Sequence, residues 1–249
     1  VSIGIFTACI VFPVSILLDG SLTKIERDRI FVIYIIAFFV IFFWAAYEQA
    51  GASLTLFAAE QTDRTILGWE MPASWIQSFN PFFVVILAAI MPSVWGALNK
   101  RGMEPASPTK QAIGLLLLSL GYLVICFGVK DVQPGVKVSL IWLTGLYFIH
   151  TMGEIALSPI GLSMVNKLTP VRFASLMMGI WYLSTSTANK FAGTLGGLYP
   201  EDGKVKTLLG FRIETMFDFF MVFVIMSGVA SLILFLLSKK LQKMMHGVE

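Results

Sequence analysis

Charge is what this sequence has least of. Lys, Arg, Asp and Glu make up 13% of its 249 residues, where a soluble domain carries about 25%. An ordinary soluble domain is excluded, because so few charges cannot cover its surface. The net charge is only +3 and lies in the breaks between apolar runs, so nucleic acid is not an expected partner. Cysteine is nearly absent. Cys9 and Cys126 sit inside apolar runs with no CxxC or metal spacing around them, which makes them packing residues and leaves the redox compartment open. There are two histidines, and no HExxH, Walker loop or GxSxG. An aqueous-phase enzyme and an ATP-driven pump therefore find no support, and no cofactor or metal is expected.

What is present is apolar length. Hydrophobic residues make up 57% of the chain, in segments at about 1–18, 30–58, 76–98, 111–129, 139–166, 173–198 and 214–238. Runs of about 20 residues cross a hydrocarbon layer as helix. These are too long for barrel strands of about 9–11 residues, and a continuous apolar span satisfies its backbone only as helix. The fold class expected is an all-α integral membrane protein. The chain starts at Val1, already inside an apolar run, with no charged region or small-residue cleavage site ahead of it. It does not read as a signal peptide and is expected to be a piece of a longer protein.

Positive charge orients the spans. With the carboxyl terminus inside, eleven basic groups are cytoplasmic, including Lys24, Arg27, Arg29, Lys100, Arg101 and Lys110. Six are outside, from Arg64 to Arg212, and Lys190 falls within a span. The asymmetry favours a cytoplasmic carboxyl terminus.

Four spans carry polar groups that a plain anchor would not need. FFWAAYEQAG, residues 42–51, places Glu48 and Gln49 in an apolar run, with Trp44 four residues before Glu48 on the same face. Glu48 either ties helices together through a basic residue or has a function, as intramembrane acids usually do. In IHTMGEIALSPIGLSMV, residues 149–165, His150, Glu154 and Ser158 form a polar stripe four residues apart, and Pro159 and Gly161 follow. The proline removes a backbone donor and crowds the carbonyl four residues back, so a kink or hinge is expected there. His150 taken alone is a packed or hydrogen-bonded residue before it is a proton carrier. In SFNPFF, residues 78–83, Asn80 precedes Pro81 and is either a helix cap or a ligand group. In MMGIWYLSTSTANKFAGTLGG, residues 177–197, the small and hydroxyl residues suit close helix packing. Trp181 there is a packing, interfacial or pocket residue, and Lys190 snorkels or pairs with an acid.

Taken in order, FFWAAYEQAGASLTLFA, WIQSFNPFFVV, GEIALSPIGLSMVNKLTP and LMMGIWYLSTS resemble the proton-dependent oligopeptide transporter family of the major facilitator superfamily. The resemblance covers most of residues 30–200, and GE-x-x-LSP-x-GLS is its most specific segment. It implies the carboxyl-terminal six-helix bundle of a major facilitator fold plus one preceding accessory helix. Residues 1–18 would be that accessory helix, 19–29 a cytoplasmic linker, 30–238 the six-helix half and 239–249 a cytoplasmic tail. The family's ExxER signature belongs to the other half and is not found, since KIERDR lacks the spacing. The amino-terminal six-helix half is thus an expected partner, together with lipid, protons and di- and tripeptides.

The activity that the resemblance implies is proton-coupled symport of di- and tripeptides by alternating access, in a multi-pass membrane protein of the bacterial inner membrane. Carried across by motif, Glu48 matches an acid that pairs with basic groups of the other half and takes part in protonation. Glu154 matches the acid that meets the peptide's amino terminus, with Ser158 beside it. Asn80 matches a peptide-contacting asparagine, and Trp44 and Trp181 match pocket tryptophans. Tyr47 departs from the pattern, since some members carry a second acid there. The physics agrees: a carboxylate that exchanges a cationic partner for an apolar surrounding takes up a proton, and a proton crossing the membrane carries about 2.3 kcal/mol per 100 mV. The rival readings are a facilitator for another small solute, a membrane-embedded enzyme using Glu48 and Glu154 as acid and base, and a structural module with the acids as interhelical ties. Nitrate is disfavoured, because no arginine lies mid-span.

Overall fold

Thr23 and Glu26 start the first long helix. In this computed structural model the Thr23 hydroxyl accepts from Glu26 N at 3.2 Å while the Glu26 carboxylate accepts from Thr23 N at 2.8 Å, a reciprocal cap. Helix α2 (Lys24–Tyr47) follows α1 (Ser2–Leu17). The cap moves the helix start from the expected position near residue 30 to Lys24, so Arg27 and Arg29 ride on helix and not on a linker. The structure describes residues 2–130, 132, 135–201 and 204–248. Val1 and Glu249, the outer limits of the expected first span and tail, lie outside the described residues. So do Asp131, Gln133 and Pro134 of one expected break and Asp202 and Gly203 of another.

The expected continuous span 30–58 is broken. α2 stops at Tyr47, a 3-10 turn covers Glu48–Gly51, and α3 (Ser53–Glu60) resumes. A break inside an apolar stretch strands backbone groups that water cannot reach. Gln49, fully buried, answers them. Its amide donates to Ala45 O at 3.1 Å and Ala192 O at 2.9 Å, and its oxygen accepts from Ser53 Oγ at 2.7 Å.

The other long helices are α4 (Phe79–Lys100), α5 (Ser107–Val129), α6 (Leu140–Leu168), α7 (Ala174–Gly196) and α8 (Met216–Met244). α8 opens on a second reciprocal cap, between Thr215 and Asp218. Short strands occupy the loops: β1 (Thr62–Asp63) pairs in parallel with β4 (Val138–Ser139), while β2 (Thr65–Ile66) with β3 (Trp69–Glu70) and β5 (Lys206–Leu208) with β6 (Phe211–Ile213) form hairpins. Both hairpins turn on a Leu-Gly pair at positive φ, Leu67–Gly68 and Leu209–Gly210, as tight hairpin turns require.

Among the described residues five stretches are long and apolar enough to cross a membrane: Lys24–Glu60, Ala73–Lys100, Ser107–Val129, Leu140–Leu168 and Met216–Met244. The chain is a multi-pass membrane protein. α7, though 23 residues long, is less apolar because of its Ser/Thr run, and α1 (Ser2–Leu17), at 16 residues, is the shorter helix ahead of α2.

α5 is the packing centre, against α6 on one side and α8 on the other. Ser119 Oγ donates to Val224 O at 2.8 Å and Ser231 Oγ to Ala112 O at 2.7 Å, tying α5 to α8. Gly121 lets His150 of α6 lie flat on α5, where an added Cβ would stand 2.3 Å from the ring. At one end of the bundle Arg172 bonds Ser21 O and Glu26, Arg29 bonds Met245 O, and His246 bonds Asp28. The start of α2, the start of α7 and the end of α8 therefore share that end.

Candidate functional site

Glu154 sits on the side of α6 that looks towards α2 and α4. It is half-buried. Its Oε2 accepts two hydrogen bonds from two other helices: the Tyr47 hydroxyl, from the last residue of α2, and the Asn80 amide, 2.9 Å away on α4. The Asn80 amide also donates to the Tyr47 hydroxyl and, at 3.2 Å, to Thr151 Oγ1 one turn before Glu154. Thr151 in turn donates to Tyr147 O at 2.7 Å. Three helices thus meet through side chains alone.

Local sequence positions each member. Asn80 is not the helix cap: Ser78 occupies that position without a side-chain bond, and Asn80 lies in the first turn of α4. Pro81 fits there, because a first-turn backbone N–H has no helical partner to lose. The amide of Asn80 is consequently free to reach across to Tyr47 and Glu154. The Tyr47 ring is held by stacking on Phe43 (centroids 5.5 Å, 17°) and by the edge contact with Trp44 at 5.4 Å. Its hydroxyl is thereby aimed at α6.

Glu48 and Gln49, adjacent in sequence, part company. Gln49 is buried in the break, whereas Glu48 is exposed on the described surface, near enough to Glu154 for the two carboxylates to interact. Trp44 is half-buried beside Tyr47. Ser158 lies one turn beyond Glu154 and is also half-buried. α6 is assigned as unbroken helix through Pro159.

Trp181 is not at this cluster. Its indole is 4% exposed and packs against Gly161, where a Cβ would lie 2.6 Å from the ring. The expected pocket wall is here a packing contact between α7 and α6, and it gives Gly161 its reason to be glycine. Gln111 of α5 closes the same spot by donating to Leu157 O at 2.8 Å. His150 follows its plainer reading: it is 3% exposed, bonded through Nε2 to Leu118 O at 3.2 Å and packed on Tyr122 at 4.7 Å. The stripe of His150, Glu154 and Ser158 therefore does not work as one unit. Lys190 is exposed and has no ion pair among the described residues.

Tyr47 and Thr151 are the members that the sequence did not single out as site residues. Their partners lie on other helices, up to 107 positions away, and no local spacing could signal that. Among the described residues no cluster of His, Cys, Asp and Glu could hold a metal ion.

The sequence profile of PTR2, the POT family, matches residues 8–209. The chain is 37% identical over 185 residues to the peptide transporter YePEPT of Yersinia enterocolitica, covering 74% of this chain and 36% of that protein. It is 30% identical over 218 residues to the dipeptide and tripeptide permease A of Escherichia coli, covering 88% of this chain and 43% of the permease. Among solved structures, a mutant of the peptide transporter POT in complex with alafosfalin matches with a TM-score of 0.86 and 29% identity, over 98% of this chain and 47% of that one. A POT family transporter in complex with 5-aminolevulinic acid matches with a TM-score of 0.82 and 26% identity, over 95% and 46%. The chain spans less than half the length of these relatives.

Proposed function

Because this chain belongs to the POT family, we propose that it forms the carboxyl-terminal half of a proton-coupled symporter of di- and tripeptides that works by alternating access. The observation that carries the reading is the Glu154 carboxylate, half-buried and bonded, among the described residues, by the neutral donors Tyr47 and Asn80. A desolvated carboxylate without a cation of its own is a receptor for one, and a peptide's terminal ammonium is such a cation. The names of the relatives as peptide transporters and permeases support the same class of substrate.

In this reading residues 1–18 are an accessory helix, 19–29 its connection to a six-helix half, which takes in the first turns of α2, and 239–249 a cytoplasmic tail. The missing amino-terminal half supplies the cationic pole for the peptide's carboxylate and the partner of Glu48, which couples protons. Asn80, Ser158 and Trp44 line the peptide's amino end, and Trp181 braces α6 from behind. Pro159 and Gly161 form the hinge on which the cytoplasmic end of α6 moves. No cofactor takes part beyond the proton. The bacterial relatives support an inner-membrane location, and the basic ends of α2, α7 and α8 support a cytoplasmic carboxyl terminus. A second reading keeps the amine site and widens the solute, since one solved relative holds 5-aminolevulinic acid. Neither reading uses Glu48 and Glu154 for hydrolysis.

Competition for uptake in the complete transporter tests this. Acetylating the amino terminus of a dipeptide removes one charged hydrogen bond of about 1.5–3 kcal/mol, or roughly 10- to 100-fold in affinity. Glu154→Gln should weaken free dipeptides by the same order and acetylated ones little. Equal inhibition by free and acetylated dipeptides in the unmutated transporter would show that Glu154 does not read the amino terminus.

A further inference from the structure

We propose that Tyr47 sets the affinity of the site: its hydroxyl occupies Glu154 as a stand-in for the substrate's amine and must be displaced before a ligand binds. The inference rests on the reading that Glu154 receives an amino terminus.

Three observations carry it. The Tyr47 hydroxyl donates to Glu154 Oε2, the oxygen that also accepts from Asn80. Asn80 donates to the Tyr47 hydroxyl as well, which polarises the phenol and strengthens its own donation. Phe43, Trp44 and His150 pack against the ring at centroid distances of 5.5, 5.4 and 6.2 Å, which seats the hydroxyl at Glu154. A half-buried acid is therefore already satisfied by protein before any ligand arrives.

The consequence is a threshold on donor strength, raised equally for every ligand. A neutral ligand N–H or O–H that replaces the phenol exchanges one neutral donor for another and gains almost nothing. An ammonium forms a charge-assisted bond, about twice as strong as a neutral one, and wins the exchange. Tyr47 also sits where α2 ends and the 3-10 turn begins, so displacing it loosens the tie between α2 and α6 at the moment of binding.

The test is a double-mutant cycle in the complete transporter, read as the dissociation constant of free dialanine and of its acetylated form. Tyr47→Phe removes the hydroxyl and keeps the ring. Affinity for both ligands should tighten about tenfold, the loss of one hydrogen bond of about 1.4 kcal/mol. In a Glu154→Ala background the same change should alter affinity less than about twofold, since nothing is left to displace. 3-Fluorotyrosine incorporated at position 47 is a stronger donor of the same shape and should weaken both ligands, so the inference stays testable even if the phenylalanine variant misfolds. Unchanged or weaker binding in Tyr47→Phe, or the same shift in both backgrounds, overturns the inference. Failure of the unmutated transporter to prefer free over acetylated dialanine is a different result, and it removes the amino-terminus reading itself.

Discussion

The polar groups of this protein fall into two regions that treat their hydrogen bonds in opposite ways. In the seam around α5, Ser119, Ser231, Gln111 and His150 each bond a backbone carbonyl of a neighbouring helix. At the junction of α2, α4 and α6, Tyr47, Asn80 and Glu154 bond one another. A bond to a backbone carbonyl can only be kept or lost. A bond between side chains from three helices can be traded for a ligand or a proton. Burial follows the same line: His150 is 3% exposed, while Tyr47, Asn80 and Glu154 are half-buried. The seam holds the helices together, and the proposed exchange belongs to the junction.

The comparison is broken most severely at Glu48. This carboxylate belongs to neither region: it is exposed, yet interacts with Glu154 across the junction. If it carries the coupling proton, Glu48→Gln in the complete transporter abolishes gradient-driven uptake and largely spares counterflow exchange, which needs no net proton movement. Vesicle uptake with and without an imposed pH gradient separates the two. Equal loss in both assays, at normal expression, would move Glu48 into the structural class.

A middle-sized effect sharpens the seam. At Gly121 a Cβ would lie 2.3 Å from His150 Cδ2 and 3.3 Å from Leu146 O. The ring has no room to retreat, because Tyr122 and Leu118 O hold it. Gly121→Ala should destabilise by about 1–3 kcal/mol, as overpacking does, seen as a lowered melting temperature in detergent. Dipeptide affinity should change less than stability does, within about threefold, because the strain reaches the junction only through the 6.2 Å contact of His150 with the Tyr47 ring. Glu154→Gln predicts the reverse pattern, normal melting with weakened binding. If Gly121→Ala weakened binding as much as it lowered stability, the seam and the junction would not be separable.

These effects also mark how far the sequence could be read. Glu154, Asn80 and the helical membrane architecture were legible, since acids in apolar runs are rare and the motifs around them are specific. The reciprocal cap at Thr23 went unread, although its T-x-x-E spacing stands in the sequence, and the helix was expected to start later. What the sequence hid was direction. His150 and Glu154, four residues apart, differ by about 40° around a helix of 3.6 residues per turn. That is enough for one to enter α5 and the other the junction. Glu48 and Gln49 looked like a pair, but the break at Tyr47 turns one in and one out. The break itself has no proline, and its only glycine, Gly51, comes at its end. Tyr47 read only as a departure from a pattern, and its partners, 33 and 107 residues away, were out of reach of local spacing.

The smallest effect lies with Glu201, an acid that belongs to neither region. It bridges Lys204 at 2.6 Å and Lys206 at 3.0 Å in the loop between α7 and α8. Those two ammonium groups pull its carboxyl down to about 2 from an ordinary 4.5. A lowered carboxylate contributes stability above its unfolded value, and that contribution is lost as pH falls through the folded one. The window therefore runs from about 4.5 down to about 2. The group is fully exposed, so water and salt screen it, and surface pairs of this kind contribute little. Lys206 keeps a second bond, to Tyr199 O at 2.7 Å, whatever happens to Glu201. Glu201→Gln should leave uptake and melting temperature unchanged. It should speed amide exchange in residues 204–208 by less than about fivefold above pH 4.5, with the difference shrinking towards pH 2. A change in peptide uptake would show that this loop reaches the site, and that an acid bonded to cations in water can matter as much as one bonded to neutral groups in the membrane.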